Sequence, residues 1–350
     1  MRVVQYGVGK MSKYIMKYVF EKGWQIVGAF DRDERKFGKD ISVVMECNHD
    51  YGVKIQSSAL FEEYLYENKP DIVIVTTMSL FSDIYDSLEI CAKCGVNAIT
   101  TCEEAFYPQN SNPTLFFKID KLAKQNNCTI TGSGYQDIYW GNLIACLAGS
   151  SHNITRIVGK SSYNVEDYGI ALARAHGAGL SLAEFDVQVA SADNISEQQR
   201  KQLIESGNFL PSYMWNVNGW IADKLNLEII SQKQQCVPTI ATKDIHSNTL
   251  EMDIKKGDAT GMSAVVTSIT KQGIVIVSEC IGKVYDESEA DFNKWTVEGE
   301  PTTTIVINKP QTVELTCATI VNRLVDVVKA PAGFISTAEM QLPKYRNNAN

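Results

Sequence analysis

Two short stretches near the start of the chain decide the fold: Arg2-Val-Val-Gln-Tyr-Gly-Val-Gly-Lys-Met-Ser12 and Trp24-Gln-Ile-Val-Gly-Ala-Phe-Asp31. The first begins as an apolar strand and turns at Gly7-Val8-Gly9 into a helix predicted from about Met11 to Lys22. The second is a strand that ends in an acidic residue about 20 positions beyond the glycines. The adenine-nucleotide half of a Rossmann fold typically has this order of elements: a strand, a glycine turn, a helix and a second strand that ends in an acidic residue.

The glycine turn and the acidic strand end predict a dinucleotide site. Gly7 permits the tight turn and Gly9 lets the backbone approach a pyrophosphate, while the small Ser12 stands where the usual fingerprint has a third glycine. Asp31 is expected to accept hydrogen bonds from the adenosine ribose hydroxyls, which favours NAD. Arg32 directly follows it and could pair with a phosphate, so NADP is expected to be tolerated. The predicted cofactor contacts come from this turn and from the strand ends: Gly7, Gly9, Lys10, Met11, Asp31, Arg32, Thr76, Thr77, Met78 and Ser133. The alternative is a glycine turn in an α/β domain that binds no nucleotide.

The pattern of predicted elements divides the chain into two domains. Up to about residue 131, strands alternate with helices, which indicates a doubly wound parallel sheet. Beyond it the predicted β segments are longer and separated by turn signals, which indicates an α+β domain of mostly antiparallel sheet. A last helix, predicted over 311–329, is expected to return to the first domain. We therefore predict a dinucleotide-binding Rossmann domain over 1–131 plus about 311–350, and a substrate and oligomerisation domain over 132–310.

Composition excludes several classes of partner. The 350 residues include 33 basic and 41 acidic side chains, a formal net charge of −8, which argues against a nucleic-acid partner because a phosphate backbone needs a basic face. The sequence has no apolar run of the roughly 20 residues that a membrane helix needs. The first residues do not read as a signal peptide. These features predict a cytoplasmic protein without a membrane partner.

The nine cysteines show no disulfide framework and are expected to be free thiols. Cys91 and Cys94 have the spacing of a redox or zinc pair. A zinc site would need a second pair or nearby histidines, and the four histidines do not cluster in the sequence. No metal site is predicted.

Two polar clusters follow later strands of the predicted sheet. Thr100-Thr-Cys-Glu-Glu104 contains two adjacent acids, and Gly132-Ser-Gly-Tyr-Gln-Asp137 stands where the first domain ends. Ligands of open α/β sheets bind at the carboxyl ends of the strands, so we expect both clusters to border the interdomain cleft near the nicotinamide ring. The alternative for Glu103 and Glu104 is an acidic helix start, and the alternative for the second cluster is an interdomain hinge.

Three segments make the chain resemble a known family: Gly132-Ser-Gly-Tyr-Gln-Asp-Ile-Tyr-Trp-Gly-Asn142, Gly159-Lys-Ser-Ser-Tyr-Asn-Val-Glu-Asp-Tyr168 and Ala175-His-Gly-Ala-Gly179. They resemble the 2,4-diaminopentanoate dehydrogenases, which act in ornithine fermentation and are related to native amine dehydrogenases. The layout is more distantly similar to dihydrodipicolinate reductase and homoserine dehydrogenase. The resemblance implies a catalytic glutamate after the strand at 97–101, which falls on Glu103 or Glu104. We favour Glu103 because it lies closer to the strand end.

Amine oxidation independently needs a carboxylate at such a place. An ammonium group has no lone pair to assist hydride departure, so the substrate amine must first lose a proton. Hydride loss then creates an iminium cation, which a carboxylate stabilises before helping to activate the water that hydrolyses it to a ketone and ammonia. Partial burial that raises the pKa of one glutamate would suit it to all three steps.

A diamino acid substrate needs acidic partners for its ammonium groups and cationic or amide partners for its carboxylate. Asp137, Glu166 and Asp167 are candidates for the second ammonium, and Asn164, Arg174 and His176 for the carboxylate. The full predicted substrate set lies in the three quoted segments: Tyr135, Gln136, Asp137, Asn164, Glu166, Tyr168 and His176. The alternative for 164–168 is a surface turn with a helix cap.

Two other functions remain open at this stage. One is an imine or aldehyde reductase of the dihydrodipicolinate reductase or homoserine dehydrogenase type. The acidic Glu103, at a position where we would expect a lysine in such an enzyme, argues against it. The other is a non-catalytic NAD-binding sensor, against which stands the dense polar region over 132–179. The architecture also suggests a homodimer.

Overall fold

The computed structural model describes residues 1–347, which form two compact units. The first comprises Met1–Asn142, Ile204–Leu210 and the chain from Gln311 onward; the second comprises Leu143–Leu203 and Pro211–Pro310. Residues 132–142, which the sequence assigned to the second domain, are part of the first unit.

The first unit is built on a seven-stranded sheet in which every pair of neighbours is parallel. Its strands are β1 (Arg2–Tyr6), β2 (Gln25–Asp31), β3 (Ile55–Ser57), β4 (Ile72–Val75), β5 (Asn97–Thr100), β6 (Thr129–Gly132) and β15 (Gly333–Phe334). They are ordered β15-β6-β5-β4-β1-β2-β3. The prediction of a doubly wound parallel sheet is confirmed, and the carboxyl ends of β1, β2, β4 and β5 share one edge.

Helices cover both faces of this sheet. They are α1 (Lys10–Glu21), α2 (Ser42–Met45), α3 (Phe61–Asn68), α4 (Phe81–Lys93), α5 (Pro113–Gln125) and α11 (Thr312–Lys329). Ile72 and Ile74 of β4 point into a core shared with α1 and α11, whereas Val73 and Val75 point into a core shared with α3, α4 and α5. A strand buried on both faces reads as an uninterrupted apolar run, because successive side chains alternate between the two cores.

The second unit contains a six-stranded sheet and a two-stranded hairpin. The large sheet is ordered β14-β13-β7-β12-β11-β8, and its pairs are antiparallel except for β7 with β12. Its strands are β7 (Asn153–Asn164), β8 (Ile229–Ile240), β11 (Ala259–Thr270), β12 (Val275–Lys283), β13 (Phe292–Glu300) and β14 (Thr303–Asn308); the hairpin pairs β9 (Ile245–Ser247) with β10 (Met252–Ile254). This confirms the expected mostly antiparallel sheet.

The five α-helices between β6 and α11 in the chain are mostly short. They are α6 (Leu143–Ala148), α7 (Ile170–Ala175), α8 (Leu182–Gln188), α9 (Glu197–Ser206) and α10 (Tyr213–Lys224). Helix α10 packs on β8, β11 and β12, and its Trp220 is fully buried. No helix within residues 1–347 combines the length and apolar character needed to cross a membrane.

Candidate active site

The glycine turn between β1 and α1 has the geometry of a phosphate-binding loop. Gly7 has φ of +86°, and a Cβ there would lie 2.7 Å from the carbonyl oxygen of Thr76, so the position requires glycine. A Cβ on the exposed Gly9 would meet no atom of residues 1–347 within 4 Å. Within that range no side chain caps α1. The first N–H groups of α1, around Lys10 and Met11, are therefore available to an anion, which fits a dinucleotide pyrophosphate.

Thr76 supports this turn from the end of β4. Its hydroxyl donates to the carbonyl of Gly7 at 2.8 Å and accepts from the buried Gln5 amide at 2.8 Å. The predicted contact at Thr76 is thus a positioning residue for the glycine turn. Thr77 and Met78, the next two residues, are exposed at the same sheet edge and stay candidates for contact with the cofactor.

Asp31 is held at the carboxyl end of β2 by three donors. Its Oδ2 accepts from the backbone N–H of Val8 and from Lys36 Nζ, both at 2.8 Å, and its Oδ1 accepts from the N–H of Asp33 at 2.9 Å. Burial alone would raise the pKa of Asp31, but these hydrogen bonds outweigh it and hold the pKa below its usual value. The carboxylate is therefore fixed beside the glycine turn, and Arg32 next to it is exposed.

The loop after β5 is joined to the loop after β4 at Ser79. The carbonyl oxygen of Ser79 accepts from the thiol of Cys102 at 3.0 Å and from the backbone N–H of Glu104 at 3.2 Å. These contacts place the adjacent glutamates 103 and 104 beside the start of α4, at the same sheet edge as the glycine turn.

Glu104 is a buried structural carboxylate, 5% exposed. It accepts from the backbone N–H of Phe81, at the start of α4, and from the hydroxyl of Ser111, both at 2.7 Å. Burial raises its pKa against the opposing effect of these two donors. A carboxylate at a helix N-terminus stabilises the helix. Glu104 therefore fits the alternative of an acidic helix start, and the helix that it stabilises is α4.

Glu103 has a different environment from its neighbour. Its side chain is half-buried, and burial raises its pKa above the usual value for a glutamate. The hydroxyl of Ser79 donates a hydrogen bond to the carboxylate and partly offsets this rise. A partly accessible carboxyl with a raised pKa has the properties of a proton-transfer group.

Asp137 lies in a fully buried ion pair. Arg323 of α11 donates to both of its oxygens, at 2.7 and 3.0 Å, and neither side chain is exposed. The hydroxyl of Ser133 donates to Oδ2 at 2.7 Å and the amide of Asn142 to Oδ1 at 2.8 Å. This corrects two predictions: Asp137 has no surface to offer a substrate ammonium, and Ser133 is fully buried with its hydroxyl committed to Asp137.

Tyr135 and Gln136 support the same segment. Tyr135 is buried, stacks on Tyr139 with ring centroids 4.5 Å apart, and meets the edge of Trp140 at 5.7 Å. The buried amide of Gln136 donates to the carbonyl of Ser133 at 3.2 Å. Tyr139 and Trp140, which are partly exposed, are candidate pocket residues that the sequence analysis did not single out. The sequence signal that could have indicated them is the pair of consecutive aromatic residues.

In the second unit, the segment 164–168 forms a capped turn. The side-chain oxygen of Asn164 accepts from the N–H of Glu166 at 3.2 Å. Glu166 in turn accepts from the hydroxyl of Ser247 at 2.8 Å and the N–H of Thr249 at 3.1 Å, and so holds the turn between β9 and β10. Asn164 and Glu166 therefore form the capped turn of the alternative, and because both side chains are partly exposed their contact with a substrate stays a prediction.

His176 is a buried neutral imidazole. Its Nδ1 lies 2.9 Å from the carbonyl of Leu172 and must carry the proton, so Nε2 accepts from the hydroxyl of Tyr163 at 2.7 Å. Burial lowers its pKa. The prediction that His176 binds a substrate carboxylate is therefore corrected, because both nitrogens are occupied and the ring is uncharged. Tyr168 is 53% exposed and packs edge-on against Tyr163, and its contact with a substrate stays a prediction.

Comparison with known proteins identifies the family. The sequence model described as the 2,4-diaminopentanoate dehydrogenase C-terminal domain matches residues 139–349 of this chain. The chain belongs to this family. The matched residues make up more than half of the chain. The resemblance to the 2,4-diaminopentanoate dehydrogenases is therefore confirmed.

Two individual relatives support this family assignment. A solved amine dehydrogenase from Mycobacterium smegmatis is 35% identical with a TM-score of 0.83, and the match covers 99% of this chain and 97% of that one. A 2,4-diaminopentanoate dehydrogenase of Acetoanaerobium sticklandii is 25% identical over 126 residues, 36% of this chain and 36% of that protein. The chain thus aligns with about a third of the length of that relative.

More distant structures share the fold alone. A myo-inositol 2-dehydrogenase from Lactobacillus plantarum is 11% identical with a TM-score of 0.57, covering 94% of this chain and 88% of that one. A biliverdin reductase from Synechocystis, solved with biliverdin and NADP+, is 12% identical with a TM-score of 0.52, covering 96% and 94%.

The cysteines are free thiols in this structure. All nine cysteines are free, and burial raises the pKa of Cys91 and Cys94, which keeps both thiols protonated. Among residues 1–347, no three His, Cys, Asp or Glu side chains group in a way that could hold a metal ion.

Proposed function

We propose that this chain is an NAD(P)-dependent oxidoreductase that removes one amine of 2,4-diaminopentanoate oxidatively, giving 2-amino-4-oxopentanoate, ammonia and reduced cofactor. Membership of the 2,4-diaminopentanoate dehydrogenase C-terminal domain family and 35% identity to an amine dehydrogenase support amine chemistry. The observation that carries the proposal is Glu103, a half-buried carboxyl with a raised pKa at the sheet edge that also holds the glycine turn. The cytoplasmic location and the homodimer stay predictions.

The residues around the turn fit a nicotinamide dinucleotide. Gly7 and Gly9 leave the backbone of the α1 N-terminus open to the pyrophosphate, and Asp31 stands where the adenosine ribose would lie. We place NAD as the favoured cofactor with NADP tolerated. When bound, the nicotinamide ring supplies a two-electron acceptor for the hydride of the substrate carbon.

Glu103 would serve the substrate in three steps. Its carboxylate first takes a proton from the substrate ammonium, so that the nitrogen lone pair forms the C=N bond as hydride leaves the carbon. That proton passes to solvent, which restores the carboxylate; it then stabilises the positive iminium and takes a proton from the water whose oxygen attacks that carbon. Glu103 gives this second proton to the departing nitrogen as the C–N bond breaks, so substrate ammonium, water and oxidised cofactor give ketone, ammonium, reduced cofactor and one proton.

The deciding experiment is a substrate screen on the purified chain. With NAD+ or NADP+, 2,4-diaminopentanoate is expected to yield reduced cofactor and ammonia in equal amounts, whereas homoserine and lysine yield neither. Absorbance of the reduced nicotinamide and an ammonia assay measure the two products. Oxidation of homoserine instead would favour the reductase alternative, and cofactor binding without any turnover would favour the sensor.

The pH dependence gives a second expected result. A base must be ionised to act, so kcat/KM is expected to fall as pH drops through the raised pKa of Glu103. Ser79→Ala removes a hydrogen bond that stabilises the carboxylate, so the pKa of Glu103 rises further and the acid limb moves to higher pH. The measurement is kcat/KM against pH for both proteins.

Ser111→Ala is the matched control for this shift. It removes the equivalent hydroxyl donor from the neighbouring Glu104 and is expected to leave the acid limb in place. If both variants shift the limb equally, or neither does, Glu103 is not the group that titrates.

A further inference from the structure

The turn after β2 carries an unusual number of charged side chains. Residues 31–39, Asp-Arg-Asp-Glu-Arg-Lys-Phe-Gly-Lys, hold three acids and four bases directly beside the predicted adenosine site. Arg35 is committed to Asp33, with its Nε 2.8 Å from Oδ1. Arg32 and Lys39 are exposed, whereas Lys36 is half-buried and points back to the strand end.

Lys36 joins the two loops that define the adenosine site. Its Nζ donates to Asp31 Oδ2 and to the carbonyl of Val8, both at 2.8 Å. Val8 also donates its own N–H to the same Asp31 oxygen at 2.8 Å. Lys36, Asp31 and the middle residue of the glycine turn therefore form one closed set of hydrogen bonds.

This pairing changes what the acidic strand end can accept. An uncompensated carboxylate at this position favours a ribose 2′-hydroxyl and repels a 2′-phosphate, because two like charges a few ångströms apart are unfavourable. Here a cation lies within hydrogen-bond distance of the carboxylate, with only 12% of the Asp31 side chain and 28% of the Lys36 side chain exposed. Solvent therefore screens the pair less than an exposed one, and the strand end carries little net charge.

We infer that Lys36 is the residue that determines cofactor range, and that its ion pair with Asp31 lets the adenosine site accept a ribose 2′-phosphate as well as a 2′-hydroxyl. This rests on the nucleotide site of the proposed function and names the residue that sets its specificity. Arg32 stands beside the pair with an exposed side chain and supplies further positive charge for the phosphate.

Binding of adenine nucleotide fragments tests this without any turnover. Calorimetric titration of the full chain compares adenosine 2′,5′-bisphosphate with ADP, which lacks the 2′-phosphate. Lys36→Gln is expected to weaken the bisphosphate by about tenfold or more, because the uncompensated Asp31 carboxylate then repels the 2′-phosphate, and ADP by less than about threefold. Lys36→Arg, which keeps the charge, is expected to retain most of the bisphosphate affinity.

Lys39→Gln is the matched control, because it removes the same charge from the same turn at an exposed position. It is expected to change both affinities by less than about twofold. Equal loss of both ligands in Lys36→Gln, or equal effects of Lys36→Gln and Lys39→Gln, would overturn the specificity role. Failure of the wild-type chain to bind either nucleotide would instead overturn the nucleotide site, and with it the proposed function.

Discussion

Glu103→Gln is expected to lower kcat for amine oxidation by about 10²- to 10⁴-fold, the usual contribution of a positioned acid–base group. The amide keeps the size of the side chain but cannot take a proton from the substrate ammonium or from water. Glu103 is half-buried and lies in the loop after β5, not in the glycine turn between β1 and α1, so cofactor affinity is expected to stay close to wild type. Steady-state kinetics with 2,4-diaminopentanoate and calorimetry with the cofactor measure the two effects separately.

Glu104→Gln is the control that separates chemistry from structure at this loop. The amide oxygen still accepts from Phe81, but the charge at the start of α4 is lost, so the free energy of unfolding is expected to fall by about 1 kcal/mol. Turnover is expected to stay within a few-fold of wild type. Full activity in both variants would rule out the proton-transfer mechanism, and loss in Glu104→Gln alone would assign the base to the buried residue.

The parallel sheet could be predicted because its signals are local. Burial on both faces leaves Ile72–Val75 uniformly apolar, and β4 spans this apolar run. Gly7 is dictated by its positive φ, which is a consequence of one tight turn. Residues a few positions apart determine these features, so the sequence states them directly.

The second unit was less predictable for a physical reason. Strand β8, one of the longest, was not predicted, since its sequence Ile229-Ile-Ser-Gln-Lys-Gln-Gln-Cys-Val-Pro-Thr-Ile240 mixes polar residues with a proline. It lies at the edge of its sheet, where one side of the strand lacks a hydrogen-bonding partner strand and proline is tolerated. Strand β13 was not predicted either, although its polar residues alternate with the buried Trp295 and Val297 in the pattern typical of a half-buried strand.

Site residues could be placed at strand ends, but their partners could not. Asp137 was assigned to the substrate because its cation, Arg323, lies 186 residues further along the chain. Glu104 finds its donor at Phe81, 23 residues earlier. Lys36 is different, since it follows Asp31 by five residues across a short helical turn, Glu34–Lys36, and the proximity of acid and base was a readable signal.

Asp137→Ala is expected to be the most destabilising of the substitutions considered, lowering the free energy of unfolding by about 3–5 kcal/mol. The change leaves the guanidinium of Arg323 buried with its main counter-charge removed, and it also takes the acceptor from Ser133 and Asn142. Equilibrium urea denaturation measures the effect as a lower midpoint at unchanged slope. Lys93→Ala, which breaks the partly exposed ion pair with Glu89 on α4, is the control and is expected to cost less than about 1 kcal/mol.

The double variant Asp137→Ala/Arg323→Met separates the worth of the ion pair from the penalty of an orphaned charge. Removing both charges eliminates the buried cation, and the apolar methionine keeps part of the arginine volume against the helix core, so most of the lost stability is expected to return. The double-mutant cycle is then strongly non-additive, because each single variant leaves one charge buried and unpaired whereas the double variant leaves none. Additive losses would show that the two side chains act independently, and Asp137→Ala within about 1 kcal/mol of wild type would show that the carboxylate is not buried against Arg323. In either case Asp137 would again be a candidate for the substrate ammonium, because its carboxylate would no longer be committed to α11.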